Sequence, residues 1–167
     1  MILEICDNDG FLALVNNEKY KSHLKQDWEL EELLNHFVNE MNQRNLIIWR
    51  TGYEGGDYKV EFTETESDKK AFREFETFIE ITNGKLYLSE YASLTMAASY
   101  DHSKIPSNHQ SKLFIPLTNG RYFVKVRQLF EPDSFEHDYE TQFEIVMKRS
   151  SESATDKINK VYWIEKI

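Results

Sequence analysis

The chain has 167 residues, of which 40% are hydrophobic and 29% charged, with 29 acids against 20 bases and a net charge of −9. Such a balance excludes a disordered chain and suits a single domain over residues 1–167 that buries a core without disulfides. The excess of acid argues against nucleic acid or an anionic membrane as partner and leaves a basic protein as the expected one.

Aromatics reach 14%, with eleven Phe and nine Tyr, a composition that favours strands. The chain opens with two candidate strands, "ILEIC" and "FLALV", around Asp9-Gly10, which is read as a weak hairpin turn. No basic segment precedes an apolar one in "MILEICDNDG", so it does not read as a signal peptide. The longest apolar run, Phe11–Val15, is far too short to cross a bilayer. One cysteine, Cys6, permits no internal disulfide, and the expected location is a reducing cytoplasm.

One long amphipathic helix is expected at about residues 28–43, where Leu30, Leu33, Leu34, Phe37, Val38 and Met41 share one stripe. Asp27 is its expected N-cap, and Glu29, Glu31 and Glu32 suit the positive end of the helix dipole. In "LIIWRTGYEGGDYKVEF", a two-residue turn at Gly55-Gly56 would pair Glu54 with Asp57, Tyr53 with Tyr58 and Trp49 with Phe62. Trp49, Thr51, Tyr53, Tyr58, Val60 and Phe62 would then share one face. A shorter helical turn near "SDKKAFREF", capped by Ser67, is allowed.

Two further hairpins are expected, at Asn83-Gly84 in "FIEITNGKLYL" and at Asn119-Gly120 in "LFIPLTNGRYFVKV". The first pairs Ile81 with Leu86 and Ile79 with Leu88; the second pairs Leu117 with Tyr122, Ile115 with Val124 and Leu113 with Val126. Pro116 cannot donate to a ladder and so belongs near a sheet edge. "TQFEIVM" and "VYWIEKI" complete the strands, separated by the polar loop "KRSSESATDKINK". The expected fold is mainly β, in the α+β class: an antiparallel β-sandwich or strongly curved sheet of about 8–10 strands built from hairpins.

No specific catalytic or metal motif is present. A phosphate loop joins a strand to a helix, whereas the glycines of "TGYEGGDY" precede a strand and are flanked by Glu54 and Asp57, which would repel an anion. His102 and His109 share a loop, and His23, His36 and His137 are scattered without zinc spacing. "CDNDG" lacks the closing glutamate of a calcium loop. Cys6 has no motif partner, and no Gly-x-Ser-x-Gly elbow exists. These absences favour a binding protein without cofactor over an enzyme.

Charge is unevenly spread. No base lies between Lys25 and Arg44, and "EPDSFEHDYE", residues 131–140, carries five acids beside Phe135 and Tyr139. Acids around aromatic anchors suit docking of a basic protein, with charge speeding encounter and aromatics supplying the contact energy. The candidate contacts are Glu29, Glu32, Asp133, Phe135, Glu136, Asp138 and Tyr139, with Glu54 and Asp57 as a second group. The alternative is a small-molecule-binding β-domain with aromatics lining a concave face.

The stretches "NGKLYLSEYASLTMAASYDHSKIP" and "IPLTNGRYFVKVRQLFEPD" resemble small bacterial β-rich immunity and inhibitor proteins. Their layout is also similar to that of the competence-associated nuclease inhibitors of bacilli. The resemblance covers about two-thirds of the chain and carries over no functional residue; the N-terminal strands and helix have no counterpart in it. It implies a non-catalytic, cytoplasmic inhibitor of a basic toxin, of the nuclease kind.

Overall fold

The computed structural model describes residues 1–22, 27–52, 54–132, 140–152 and 156–164. In chain order the elements are β1 (Ile2–Asp7), β2 (Phe11–Val15), α1 (Leu30–Asn42), β3 (Leu46–Arg50), β4 (Gly56–Thr63), β5 (Arg73–Ile81), β6 (Lys85–Glu90), α2 (Tyr91–Ser99), β7 (Phe114–Pro116), β8 (Gly120–Gln128) and β9 (Phe143–Arg149). The strands form a sandwich of two sheets. One has the order β1-β4-β9-β8-β5 and the other β3-β2-β6-β7. The expected mainly β architecture with one long helix is met. All ladders are antiparallel except β4 with β9.

The hairpins are not formed. β1 and β2, β3 and β4, β5 and β6, and β7 and β8 each lie in different sheets, so every turn read as a hairpin tip is a corner carrying the chain from one sheet to the other. Trp49 pairs with Leu12 rather than Phe62, Asp57 with Cys6 rather than Glu54, and Tyr58 with Ile5. Ile79 sits opposite Tyr122 in the ladder and Leu88 opposite Leu14. The expected inward faces nevertheless hold. Trp49, Tyr58, Val60, Phe62, Ile79, Ile81, Leu86, Leu88, Ile115, Tyr122, Val124 and Val126 all enter the core between the sheets. Alternation reports which side chains point inward. Two strands facing each other across a sandwich alternate just as two neighbours in a hairpin do.

The corners are stacked in pairs. At one end Asn119 Oδ1 accepts from Gly84 N at 2.7 Å and Asn119 Nδ2 donates to Thr82 O at 2.6 Å, so the two "TNG" turns hold each other. At the other end the β1–β2 and β3–β4 corners meet, with Thr51 N donating to Gly10 O at 2.8 Å.

A second core lies on the outer face of the four-stranded sheet, where Ala13, Val15, Leu46 and Ile48 meet Leu33, Phe37 and Met41 of α1 and Leu94, Ala97 and Ala98 of α2. "FLALV" and "LIIW" are unbroken apolar runs because both of their faces are covered. The stripe of α1 is narrower than expected, since Leu30 is 42% exposed. Its N-cap is Glu29, not Asp27, in a capping box with Glu32, whose Oε2 accepts from Glu29 N at 3.2 Å. Glu40 of α1 is buried and accepts from Asn45 Nδ2 at 2.9 Å.

α2 has no counterpart among the expected elements. Its sequence, YASLTMAAS, is uncharged, and it is capped by Glu90, whose carboxylate accepts from Ala92 N at 2.6 Å and Ser93 N at 2.9 Å. The stretch near Ser67 forms no helix; it consists of bends leading into β5. Among its described residues "VYWIEKI" is a single bridge, Tyr162 to Trp49, lying along the open edge of β3 with Tyr162 stacked on Phe75 at 3.7 Å. Pro116 ends an edge strand, as its chemistry requires.

Candidate functional site

The end where the β1–β2 and β3–β4 corners meet gathers Asp7, Asp9, Glu54 and Asp57. Its glycines are there for close approach. Gly10 has φ +77, and a Cβ on it would stand 2.8 Å from Gly52 O; a Cβ on Gly55 would stand 1.9 Å from Asp7 O. The backbone of one corner therefore rests on the other and leaves no cradle for a phosphate.

Asp7 is the buried member of the group. Its carboxylate accepts from Asp9 N at 3.0 Å and from Thr51 Oγ1 at 3.1 Å. Burial pushes its pKa up, against the lowering effect of these hydrogen bonds, and the Glu90 charge adds to the rise. Asp9, Glu54 and Asp57 stand exposed around it.

Asp57 points outward from β4, next to a shallow hollow of about 330 Å³ lined by Glu4, Ile5, Cys6, Lys59 and Gln142. Lys59 Nζ lies 4.0 Å from Glu4 Oε1. The Cys6 thiol is pushed up, first by its hydrogen bond to Asp57, so it stays protonated at neutral pH and is a poor nucleophile.

Further across the same sheet face the charges neutralise one another. Lys125 Nζ lies 3.0 Å from Glu66, 3.3 Å from Glu74 and 3.5 Å from Glu76, and Arg127 pairs with Glu66, Glu74 and Glu144. At the β1–β4 side Glu4 has the 4.0 Å contact to Lys59, and Asp57 makes no ion pair among the described residues.

The sequence-predicted contacts fall on separate layers. Glu29 and Glu32 are exposed at the start of α1, on the outer face of the four-stranded sheet, while Asp57 faces away from the five-stranded one. Asp133, Phe135, Glu136, Asp138 and Tyr139 lie outside the described residues, as does Tyr53. The stretch that leads to them runs past the corner, because a Cβ on Gly52 would stand 3.2 Å from Pro132 Cβ. Tyr58 is no surface anchor: it is 7% exposed and packs against Phe130 and Phe143.

His102 lies 3.7 Å from Asp101 on the surface, and His23 and His137 lie outside the described residues. Among the described residues no group of His, Cys, Asp and Glu is arranged to hold a metal ion, and no helix is long and apolar enough to cross a membrane. Sequence reasoning missed Asp7 and Asp9 as members of the acidic end. "DND" was a signal for them, but only the inter-sheet corner places it beside Glu54 and Asp57.

No family model matches the sequence, and no curated protein does. Two solved structures share the fold. The crocagin biosynthetic gene J product matches with a TM-score of 0.56 and 12% identity, over 88% of this chain and 96% of that one. ComJ from Bacillus subtilis, an inhibitor of the DNA-degrading activity of NucA, matches with a TM-score of 0.53 and 12% identity, over 90% of this chain and 96% of that one. The likeness to a nuclease inhibitor that the strand layout implied is thus met at the level of fold, and it reaches past the two-thirds expected into the N-terminal strands and helix.

Proposed function

We propose that the chain is a non-catalytic inhibitor that binds a basic protein, a nuclease of the toxin kind, in the cytoplasm. The observation that carries this reading is the fold shared with ComJ along nearly its whole length. The acidic end supports it: Asp9, Glu54 and Asp57 project from a rigid pair of stacked corners, with no ion pair to a base among the described residues, in a chain of net charge −9. A rigid acidic surface speeds encounter with a basic partner and spends little entropy on docking.

The contact set is Glu54 and Asp57 with Asp133, Phe135, Glu136, Asp138 and Tyr139, whose segment departs beside Gly52. Glu29 and Glu32 are assigned the second place because their carboxylates serve the capping box of α1.

The test is inhibition of DNA cleavage by the nuclease that the purified chain captures from its own cells. Stoichiometric inhibition is expected, with association slowed about tenfold in Glu54→Lys/Asp57→Lys at low salt and the difference shrinking as salt is added. Failure to capture or inhibit any nuclease would overturn the function. Inhibition indifferent to the double reversal would move the surface elsewhere.

A further inference from the structure

At the opposite end of the sandwich the inter-sheet core opens to solvent. β7 stops at Pro116 after three residues, and between it and the ends of β4 and β9 lies a cleft of about 820 Å³. Its floor is apolar and comes from both sheets: Phe62, Tyr122 and Met147 from one, Ile115 from the other, with Leu117 beside them. Tyr122 Oη donates to Thr118 O at 2.9 Å, which fixes that wall. The volume falls within the range of about 300–1,000 Å³ typical of small-ligand sites, and an apolar floor with few polar groups is their usual lining.

The rim is charged. Among the described residues, Lys148, which is exposed, has no carboxylate within ion-pair distance, and Arg149 donates to Asn119 O at 3.1 Å and pairs with no carboxylate. Glu64 is the acid at the rim. In a chain with nine more acids than bases, a mouth with two cationic side chains to one acidic one is the reverse of the whole surface.

We propose that this cleft is a binding site for a small amphiphilic anion, an apolar chain or ring carrying one carboxylate. The apolar part lies on Phe62, Ile115, Leu117 and Met147, and the carboxylate meets Arg149, which shares the inward side of β9 with Met147, while Lys148 adds positive charge at the lip. The site is independent of the inhibitor function, since Asp57 and Phe62 lie at opposite ends of β4, about 17 Å apart along the strand.

The probe is decanoate, titrated by calorimetry and by the NMR shift of the Met147 methyl, with decanol as its uncharged counterpart. One decanoate per chain is expected, moving the Met147 signal, with decanol weaker. Arg149→Glu should weaken decanoate about tenfold, the effect of losing one charge-assisted contact, and leave decanol unchanged. Leu117→Trp should abolish both by filling the cleft, and Lys19→Glu, which does not line the cleft, should change neither. Absence of saturable decanoate binding, binding that leaves Met147 unmoved, or equal affinity in wild type and Arg149→Glu would each overturn the proposal.

Discussion

Gly55 shows how one residue type can serve different ends. In sequence its neighbours look like a flexible tip; in the structure Gly55 lies so close to the Asp7 carbonyl that no side chain fits between the two corners. Gly84 is also in a turn and has φ +76, but the nearest atom to a Cβ there is 3.7 Å away. Gly55→Ala should therefore cost about 2–3 kcal/mol, the upper part of the range for overpacking, through forced backbone movement. Gly84→Ala should cost only about 1 kcal/mol, the strain of a left-handed conformation. Urea denaturation of the two variants checks this, and equal losses would show that the corners are not in contact. The same closeness makes the acidic end rigid, because the Asp7–Thr51 hydrogen bond ties the corners below Glu54 and Asp57.

At the scale of elements, the ladder of β8 with β9 carries a buried ion pair that secures a long connection. Arg127 Nη1 donates to Glu144 and to Ser67 O at 3.2 Å, while Glu144 accepts from Ser67 N at 3.2 Å, so the stretch between β4 and β5 is held on the outer sheet face. Burial pushes the Glu144 carboxyl up, but the hydrogen bonds from Ser67 and Arg127 outweigh it and leave the pKa below the ordinary 4.5. A depressed carboxylate stabilises the fold above its unfolded pKa, and that stabilisation is lost as pH falls through the folded value. Glu144→Gln should thus be less stable than wild type at pH 7 and lose less on acidification below pH 4.5. Glu144→Ala should cost about 1–3 kcal/mol at pH 7, because Arg127 loses its closest partner and keeps only Glu66 and Glu74 as counter-charges among the described residues. Denaturant midpoints measured from pH 7 to pH 3 decide both. A parallel fall in wild type and Glu144→Gln would remove Glu144 as the cause.

For the whole molecule the decisive feature is the four-stranded sheet, which faces both cores. Leu12, Leu14, Ile47 and Trp49 enter the inter-sheet core, while Ala13, Val15, Leu46 and Ile48 enter the one beneath the helices. A sheet shared in this way couples the two layers, so the chain should unfold in one transition. Leu33→Ala, under α1, and Ile145→Ala, between the sheets, should each cost about 2–4 kcal/mol and shift far-UV and near-UV dichroism together. Separate transitions in Leu33→Ala would mean that the helical layer is an independent unit. The shared sheet also divides the surface. Helices cover one outer face and leave the other to charged side chains, and the two ends differ, with acidic corners at one and an apolar cleft rimmed by cations at the other.

Local physics made much of this legible in the residues. Alternation in "YKVEF", "FIEI" and "YFVKV" identified the inward faces, and helical spacing located α1. Gly and Asn marked the turns, and the proline marked an edge. Helix α2 escaped because an uncharged, alanine-rich segment lying on a sheet shows no polar face. Pairing escaped for a deeper reason. Period-two alternation states that a side chain points to the core, and it is equally consistent with a neighbour in the same sheet and with a strand facing it across the core. Composition, net charge, inward faces and turn positions are properties of the chain taken a few residues at a time, and they can be read from the residues directly. Which strands share a sheet, which acids meet at one end and where the core opens depend on contacts between distant segments, and those emerge only once the chain is folded.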